Sequence, residues 1–313
     1  MRAPDFWKKR GAPALLLAPL GALYGASVAW KARHAKPYRA KARVLCVGNL
    51  TAGGSGKTPV ALAIAARLQA RRAAVFFLTR GYGGSERGPV QVSVNSDAAR
   101  MGDEALLLAR CAPTIVARDR AEGAAYAEAR GAKVIVMDDG YQNFGLAKDL
   151  SLVVVDGESG FGNGLIIPAG PLREPVAQGL ARADAVIVMN GGAPDLAGYS
   201  GPMLRAQLTP AGDGLRGQQV FAFAGIGRPE KFVASLEGAG AIVTGTQFFA
   251  DHHPFRRAEV AALKSRAGAA RLVTTEKDFV RLEAEDRAGI ITLPVRAAFE
   301  NEAALDRLLD GIA

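Results

Sequence analysis

Gly53-Gly-Ser-Gly-Lys-Thr58 lies between four apolar residues, Val44 to Val47, and an Ala-rich apolar stretch that begins after Pro59. Strand, glycine-rich turn, Gly-Lys-Thr and helix, in that order, form a layout that cradles phosphate. Glycines let successive backbone N–H groups curl round phosphate oxygens, and the helix that follows points its positive end at them. Thr51, Ala52, Gly53, Gly54, Ser55, Gly56, Lys57 and Thr58 are therefore the expected nucleotide-binding residues. In such a loop Lys57 reaches the β- and γ-phosphates, and the Thr58 hydroxyl holds Mg²⁺. Thr51 stands where the usual pattern has glycine. A glycine turn without a ligand is the competing reading, and the strand before it and helix after it argue against that.

Val134-Ile-Val-Met-Asp-Asp139 reads as a buried strand ending in two carboxylates. A carboxylate at the C-terminal end of a parallel strand lies beside the phosphate loop, where Mg²⁺ needs oxygen ligands. Asp138 and Asp139 are the candidate pair. Asp139-Gly140 is also a good turn, which is the competing reading. In Met101-Gly-Asp-Glu104, spacing alone makes Asp103 a helix cap before an apolar run. Two of the three histidines are adjacent, in Asp251-His-His-Pro-Phe255. Neighbouring histidines chelate one metal poorly, but a carboxylate beside a histidine can orient it.

A chain of 313 residues can bury a large core and divide into two domains. Cys46 and Cys111 are too few for a disulfide framework, which fits a reducing cytoplasmic compartment. The net charge of +9 is unevenly placed. Residues 1–43 carry ten basic side chains and one acidic, leaving 29 of each sign in the rest. A neutral body argues against nucleic acid as a partner.

Gly11 to Trp30 is a run of twenty uncharged residues with Leu15, Leu16, Leu17, Leu20 and Leu23 at its centre. Phe6, Trp7, Trp30 and Tyr38 flank it, as in interfacial aromatic belts. A cleaved signal peptide conflicts with a loop that needs cytosolic ATP. A spanning helix needs about twenty apolar residues, and Pro13, Pro19, Gly21 and Gly25 weaken that reading. A membrane-surface or partly inserted helix fits best.

Further strands are expected at Ala74–Thr79, Val90–Val94, Ile115–Val116, Leu152–Val155 and Ala185–Val188, with helices over Asp103–Cys111 and Asp119–Arg130. Continuous apolar strands alternating with helices mean a parallel sheet covered on both faces. Leu204–Gly217 reads as a transition. A second alternating set then follows: strand Val220–Phe223, helix Glu230–Glu237, strand Ala241–Phe249, helix Arg256–Ala267, and strands Leu272–Thr275 and Ile290–Val295. The expected fold is α/β, a P-loop NTPase-type parallel sheet between helices with a second, smaller α/β domain. The expected segments are 1–36 (membrane-associated), 37–203 (P-loop kinase core), 204–299 (second domain) and 300–313 (a C-terminal helix on either domain).

Several motifs in order resemble the tetraacyldisaccharide 4′-kinase family, the lipid A 4′-kinases of Gram-negative bacteria. They are GNLTAGGSGKTP (48–59), TRGYGG (79–84), GDE (102–104), MDDGYQN (137–143), GFGNG with PAGPLREP (160–175), FAGIGRPEKF (223–232), FFADHHPF (248–255) and TTEKD (274–278). The resemblance makes Thr51 the family's own form of the loop. It implies transfer of the ATP γ-phosphoryl group, with Mg²⁺, to the 4′-hydroxyl of a tetraacylated glucosamine disaccharide 1-phosphate, giving lipid IVA. It implies Asp103 as base and His252 as its partner, Asp138 and Asp139 at the metal, and Arg173 and Glu174 within the site. It also implies work at the cytoplasmic face of the inner membrane, with a monomer expected. A membrane-associated P-loop ATPase switch is the alternative, but such proteins carry a signature lysine where this chain has Ala52. A GTPase is disfavoured because Lys277 and Asp278 in Thr275-Glu-Lys-Asp278 are adjacent instead of one residue apart.

Overall fold

A computed structural model describes residues 4–93, 96–212 and 214–312. Helix α1 spans Ala12–His34 and precedes β1, Arg43–Gly48. The chain continues through α2 (Lys57–Ala70), β2 (Val75–Thr79), β3 (Val90–Gln91), α3 (Ala98–Met101), α4 (Asp103–Ala109), β4 (Thr114–Val116), α5 (Arg120–Glu128) and β5 (Val134–Asp138). Next come β6 (Leu150–Asp156), α6 (Val176–Leu180), β7 (Ala185–Met189) and β8 (Met203–Pro210). The remainder is β9 (Gln219–Ala224), α7 (Pro229–Gly238), β10 (Ile242–Phe248), α8 (Arg257–Ala267), β11 (Arg271–Thr275), α9 (Glu276–Phe279), β12 (Ile290–Leu293), β13 (Val295–Phe299) and α10 (Glu302–Leu309).

Two sheets result. The larger has nine strands in the order β13-β8-β7-β6-β1-β5-β2-β4-β3, parallel from β8 to β4 with an antiparallel strand at each edge. The smaller has four parallel strands, β10-β9-β11-β12. The central strands of the larger sheet are buried along their length, as the unbroken apolar runs predict. Val60, Ile64 and Leu68 of α2 pack on one face with Leu305 and Leu309 of α10. Ala124 and Ala127 of α5 and Leu180 of α6 cover the other. Strand β1 has β5 on one side and β6 on the other, so the order reverses at the loop that follows it. Ligands of open α/β sheets bind at such a switch point.

Four expectations are corrected. The transition expected over 204–217 begins as β8, a half-exposed strand of the larger sheet in which Leu204 and Ala206 point inward. The single strand expected over Ile290–Val295 is two: Pro294 has no N–H to give a ladder, β12 ends before it, and β13 returns to the larger sheet. The 203/204 division therefore does not coincide with the boundary between sheets. The strand expected over Val90–Val94 is two residues long, and Val94 lies outside the described residues. The helix expected from Asp103 is preceded by a separate turn of helix, α3, because Gly102 breaks the run at φ 85°. A Cβ on Gly102 would meet the Tyr82 carbonyl oxygen at 2.4 Å. The C-terminal helix, left open between the two units, packs on α2. Arg67 and Arg71 pair with Asp306 there at 2.9 and 2.5 Å. These pairs are partly exposed and contribute little; burial of Leu305 and Leu309 contributes about 1.5–3 kcal/mol each.

Candidate active site

The phosphate loop runs from Asn49 to Gly56. Asn49 is buried and donates to the Ser55 hydroxyl at 3.1 Å, tying the two ends of the loop. Ala52 N–H donates to Pro171 O at 2.7 Å, and Arg173 N–H to Leu50 O at 2.7 Å, so the 160–175 segment braces the loop from outside. Thr51 pairs with Leu172 in the same brace. A Cβ at Gly53 or Gly54 would meet nothing within 4 Å, so the backbone there faces open space. Gly56 caps α2 at φ 87°, a conformation glycine adopts without strain, and Lys57 and Thr58 begin the helix.

Strand β5 delivers the carboxylates beside this loop. Asp138 Oδ2 accepts from the Thr58 hydroxyl at 2.9 Å, while its Oδ1 is buried with no partner among the described residues. Burial, then the nearby Glu104 charge, pushes the Asp138 carboxyl up to about 7, with Lys57 pulling the other way. Asp139 takes two bonds from Arg173, at 2.8 and 3.1 Å, and its Oδ1 lies 3.7 Å from Lys57 Nζ. Burial opposes ionisation of Asp139, but Lys57 and Arg173 outweigh it and hold its pKa below the usual carboxylate value. Oxygen ligands only, one of them an orphaned carboxylate oxygen beside a hydroxyl, suit a hard divalent cation such as Mg²⁺.

Arg173 and Glu174, adjacent in sequence, face different ways. Arg173 turns to Asp139 and, at 3.3 Å, to Gln142. Glu174 is 3% exposed and pairs with Arg182 at 2.9 and 2.7 Å, while Gln142 donates to it at 2.9 Å. Glu174 thus braces Gln142, which touches Arg173; it does not line the loop itself.

Asp103 opens α4 beside the larger sheet, His252 lies in the turn after β10 of the smaller sheet, and the two meet. His252 Nδ1 lies 2.9 Å from Asp103 Oδ2. Asp103 opens α4 after Gly102 and caps no backbone N–H, so the helix-cap reading does not describe it. His252 sits in a turn at φ 61°, where a non-glycine residue costs about 1–3 kcal/mol, held by its N–H to Gly225 O at 3.1 Å. Burial raises the Asp103 pKa, but hydrogen bonds from His252 and Arg281 bring it below the ordinary value. His253 points elsewhere, to Glu259 at 3.0 Å, stacked on Phe249.

Sequence reasoning missed several groups. Lys277 of α9 reaches Glu104 at 3.2 Å, and Arg281 reaches Asp103 at 2.6 Å. Arg281 lies three residues after Asp278, a spacing that pairs side chains on a helical turn. Lys231 of α7 also links the two units, pairing with Glu158 at 2.6 Å near the buried Asp156. Arg120 is almost fully buried and its Nε has no partner among the described residues; burial, then the Arg80 charge, lowers its pKa to about 10. Asp138 and Asp139 favour its charged form.

A switch ATPase needs only water opposite its nucleotide. Here a carboxylate–histidine pair joins the two units, and Glu104, next to Asp103, lies close enough to the Asp138–Asp139 strand end to raise the Asp138 pKa. This is the architecture of a P-loop kinase, an enzyme that moves a phosphoryl group to a second substrate. The chain belongs to the tetraacyldisaccharide-1-P 4′-kinase family, whose model matches residues 13–313. It is 54% identical to a tetraacyldisaccharide 4′-kinase of Paramagnetospirillum magneticum over 100% of this chain and 99% of that one. It is 50% identical to one of Rhodospirillum centenum over 99% and 96%. The fold is similar to that of LpxK from Aquifex aeolicus, solved in complex with ATP, at a TM-score of 0.79 and 24% identity, covering 96% of this chain and 99% of that one.

Proposed function

We propose that this chain transfers the γ-phosphoryl group of ATP to the 4′-hydroxyl of a tetraacylated glucosamine disaccharide 1-phosphate, giving lipid IVA. The observation that carries the reading is the 2.9 Å contact between Asp103, which opens α4, and His252, in the turn after β10. The loop N–H groups and Lys57 hold the β- and γ-phosphates. Thr58, Asp138 and Asp139 hold Mg²⁺, which when bound neutralises phosphate charge. Asp103 accepts the proton of the sugar hydroxyl as its oxygen bonds to the γ-phosphorus. The bond from that phosphorus to the β–γ bridging oxygen breaks, and ADP leaves with its electrons. His252 orients Asp103. Arg173 holds Asp139 and adds positive charge beside the phosphates, and Glu174 supports it through Gln142. The core that holds ATP is the 37–203 unit with β8 and β13 counted in; the second domain carries His252. The deciding experiment is mass spectrometry of the acyl-disaccharide after incubation with Mg-ATP, where a gain of one phosphate is expected and no gain refutes the reading.

Helix α1 is the one helix among the described residues long and apolar enough to cross a membrane by length and composition. A position on the cytoplasmic leaflet is the reading we favour. Its small residues face the protein: a Cβ on Gly21 would meet Ile166 O at 2.6 Å, and one on Gly25 would meet Ile166 Cδ1 at 2.7 Å. Trp7 Nε1 donates to Pro168 O and Arg10 Nε to Asn163 O, both at 3.0 Å. Leu16 and Leu23, 80% and 69% exposed, point away. A helix held side-on by its own protein offers one apolar face to lipid, which supports lying on the surface over spanning. The same 160–175 segment braces the phosphate loop, so the lipid-facing helix and the site share one support.

A further inference from the structure

We infer that Arg281 is a positioning residue for phosphoryl transfer: it grips one oxygen of the Asp103 carboxylate and leaves the other free for the acceptor hydroxyl. The inference rests on the reading of Asp103 as the base. Arg281 Nη2 and Nε lie 2.6 and 2.7 Å from Asp103 Oδ2, and His252 Nδ1 lies 2.9 Å from the same atom. All three groups act on Oδ2; Oδ1 has no hydrogen-bond partner among the described residues. Two guanidinium N–H groups grip that oxygen, and His252 Nδ1, itself 3.3 Å from Arg281 Nη2, closes on the same atom, so the direction of the second oxygen is set before any substrate arrives.

Arg281 is itself held rigidly. Its side chain is 5% exposed, and its Nη1 donates to Asp278 Oδ1 at 2.7 Å and to Gly225 O at 2.9 Å. Asp278 is fully buried and anchored by the Thr275 hydroxyl at 2.7 Å and Gly225 N–H at 3.1 Å. The guanidinium thus has one edge in the smaller sheet's frame and the other on a residue of the larger sheet's side. Gly225 O accepts from both Arg281 and the His252 N–H, so the same carbonyl fixes both partners of Asp103. The charged and titratable groups facing Asp103 and His252 are Tyr82 after β2, Glu104 on α4, Asp251 in the histidine turn, and Lys277, Asp278 and Arg281 in and after α9. Arg281 is the only cation among them in contact with Asp103. It keeps the carboxylate ionised as well as aligned.

Removing Arg281 alone would leave Asp278 buried without its cation, so two variants are needed. Arg281→Lys keeps the charge and loses the two-atom grip. Arg281→Met combined with Asp278→Asn removes both buried charges together. Both should lower kcat by about 10²-fold, the scale of a small misplacement of a reacting group, with KM for ATP little changed. In the double variant the acidic limb of the kcat–pH profile should move to higher pH, because a carboxylate without its cation protonates more readily. Wild-type kcat and an unmoved acidic limb in folded samples of both variants would overturn the inference. The Asp103→Asn background separates this failure from failure of the base reading. There Arg281→Lys should add no further loss. If Asp103→Asn is slow and Arg281→Lys slows it again by the same factor, Arg281 acts elsewhere and the inference fails alone. If Asp103→Asn keeps full turnover, the base reading fails and takes the inference with it.

Discussion

The Thr58 hydroxyl donates to Asp138 Oδ2 at 2.9 Å and leaves Oδ1 of the same carboxylate buried and unpaired. An ionised carboxylate in that position is costly without a cation. Its folded pKa of about 7 lies above the unfolded value of 3.8, so its contribution to stability is complete below about 4 and is lost as pH rises through 7. Mg²⁺ should offset that loss. The Mg²⁺-induced rise in melting temperature should therefore be small at pH 5.5 and larger at pH 8, and Asp138→Asn should remove the difference. Differential scanning fluorimetry with and without EDTA tests this, and an equal Mg²⁺ effect at both pH values would remove Asp138 from the metal site.

Lys57 lies 3.7 Å from Asp139, and Arg173 holds the same carboxylate more closely. Lys57→Ala should leave Asp139 paired and the fold intact. It should lose charge stabilisation of the transferring group, lowering kcat by at least about 10²-fold. Steady-state kinetics on protein with an unchanged melting temperature checks this; near-normal turnover would show that the loop does not hold the transferred phosphate.

Asp103→Asn keeps the size of the side chain but cannot take a proton. Asp103 caps no backbone N–H and Arg281 keeps its pair with Asp278, so the stability cost should be confined to the lost Asp103–Arg281 charge pair, while turnover falls steeply. Combined with His252→Ala, the loss should be clearly less than the product of the single losses, since the pair acts as a unit. Additive single-turnover losses would separate the two residues.

Helix α1 has two faces with different jobs. Leu16→Glu with Leu23→Glu should reduce flotation with anionic vesicles and leave thermal stability unchanged. Gly21→Val drives a side chain into the Ile166 carbonyl and should lower stability and turnover. Deleting residues 1–30 combines both effects because it also uncovers the Ile166–Pro168 support. High salt should weaken vesicle attachment without abolishing it, since each basic residue near an anionic leaflet contributes about 1 kcal/mol and burial of the leucines is insensitive to salt. A double-Glu variant that floats as well as the parent would mean that this face does not meet lipid.

Glu174 is buried and pairs with Arg182, whose side chain is 36% exposed. Arg182→Met should leave the buried Glu174 charge with Gln142 as its donor and cost less than the about 3–5 kcal/mol of breaking a fully buried pair, measured by urea unfolding. Glu174→Gln with Arg182→Met removes both charges and should recover much of the loss. No recovery would mean that the two residues contribute separately.

What this chain's sequence determines by itself is local. A strand, the Gly53–Thr58 turn and helix α2 are consecutive, and each is specified by its own residue types. The carboxylates of Asp138 and Asp139 are legible for the same reason, since an apolar run ending in Asp-Asp places them at a strand end. Asp103 and His252 were legible only through resemblance, because spacing made one a helix cap and the other a turn residue. The tertiary structure alone decided that β8 and β13 join the larger sheet, that Glu174 turns to Arg182 instead of the loop, and that Arg281 closes on Asp103. Each of these is a contact between segments far apart in the chain. Helical and strand periodicity record which way a side chain faces within its own element, but carry no information on what another element will bring to meet it. The two faces of α1 show the limit most plainly: Leu16 and Gly21 lie in one uncharged run, and only the position of Ile166 makes one face outward and the other inward.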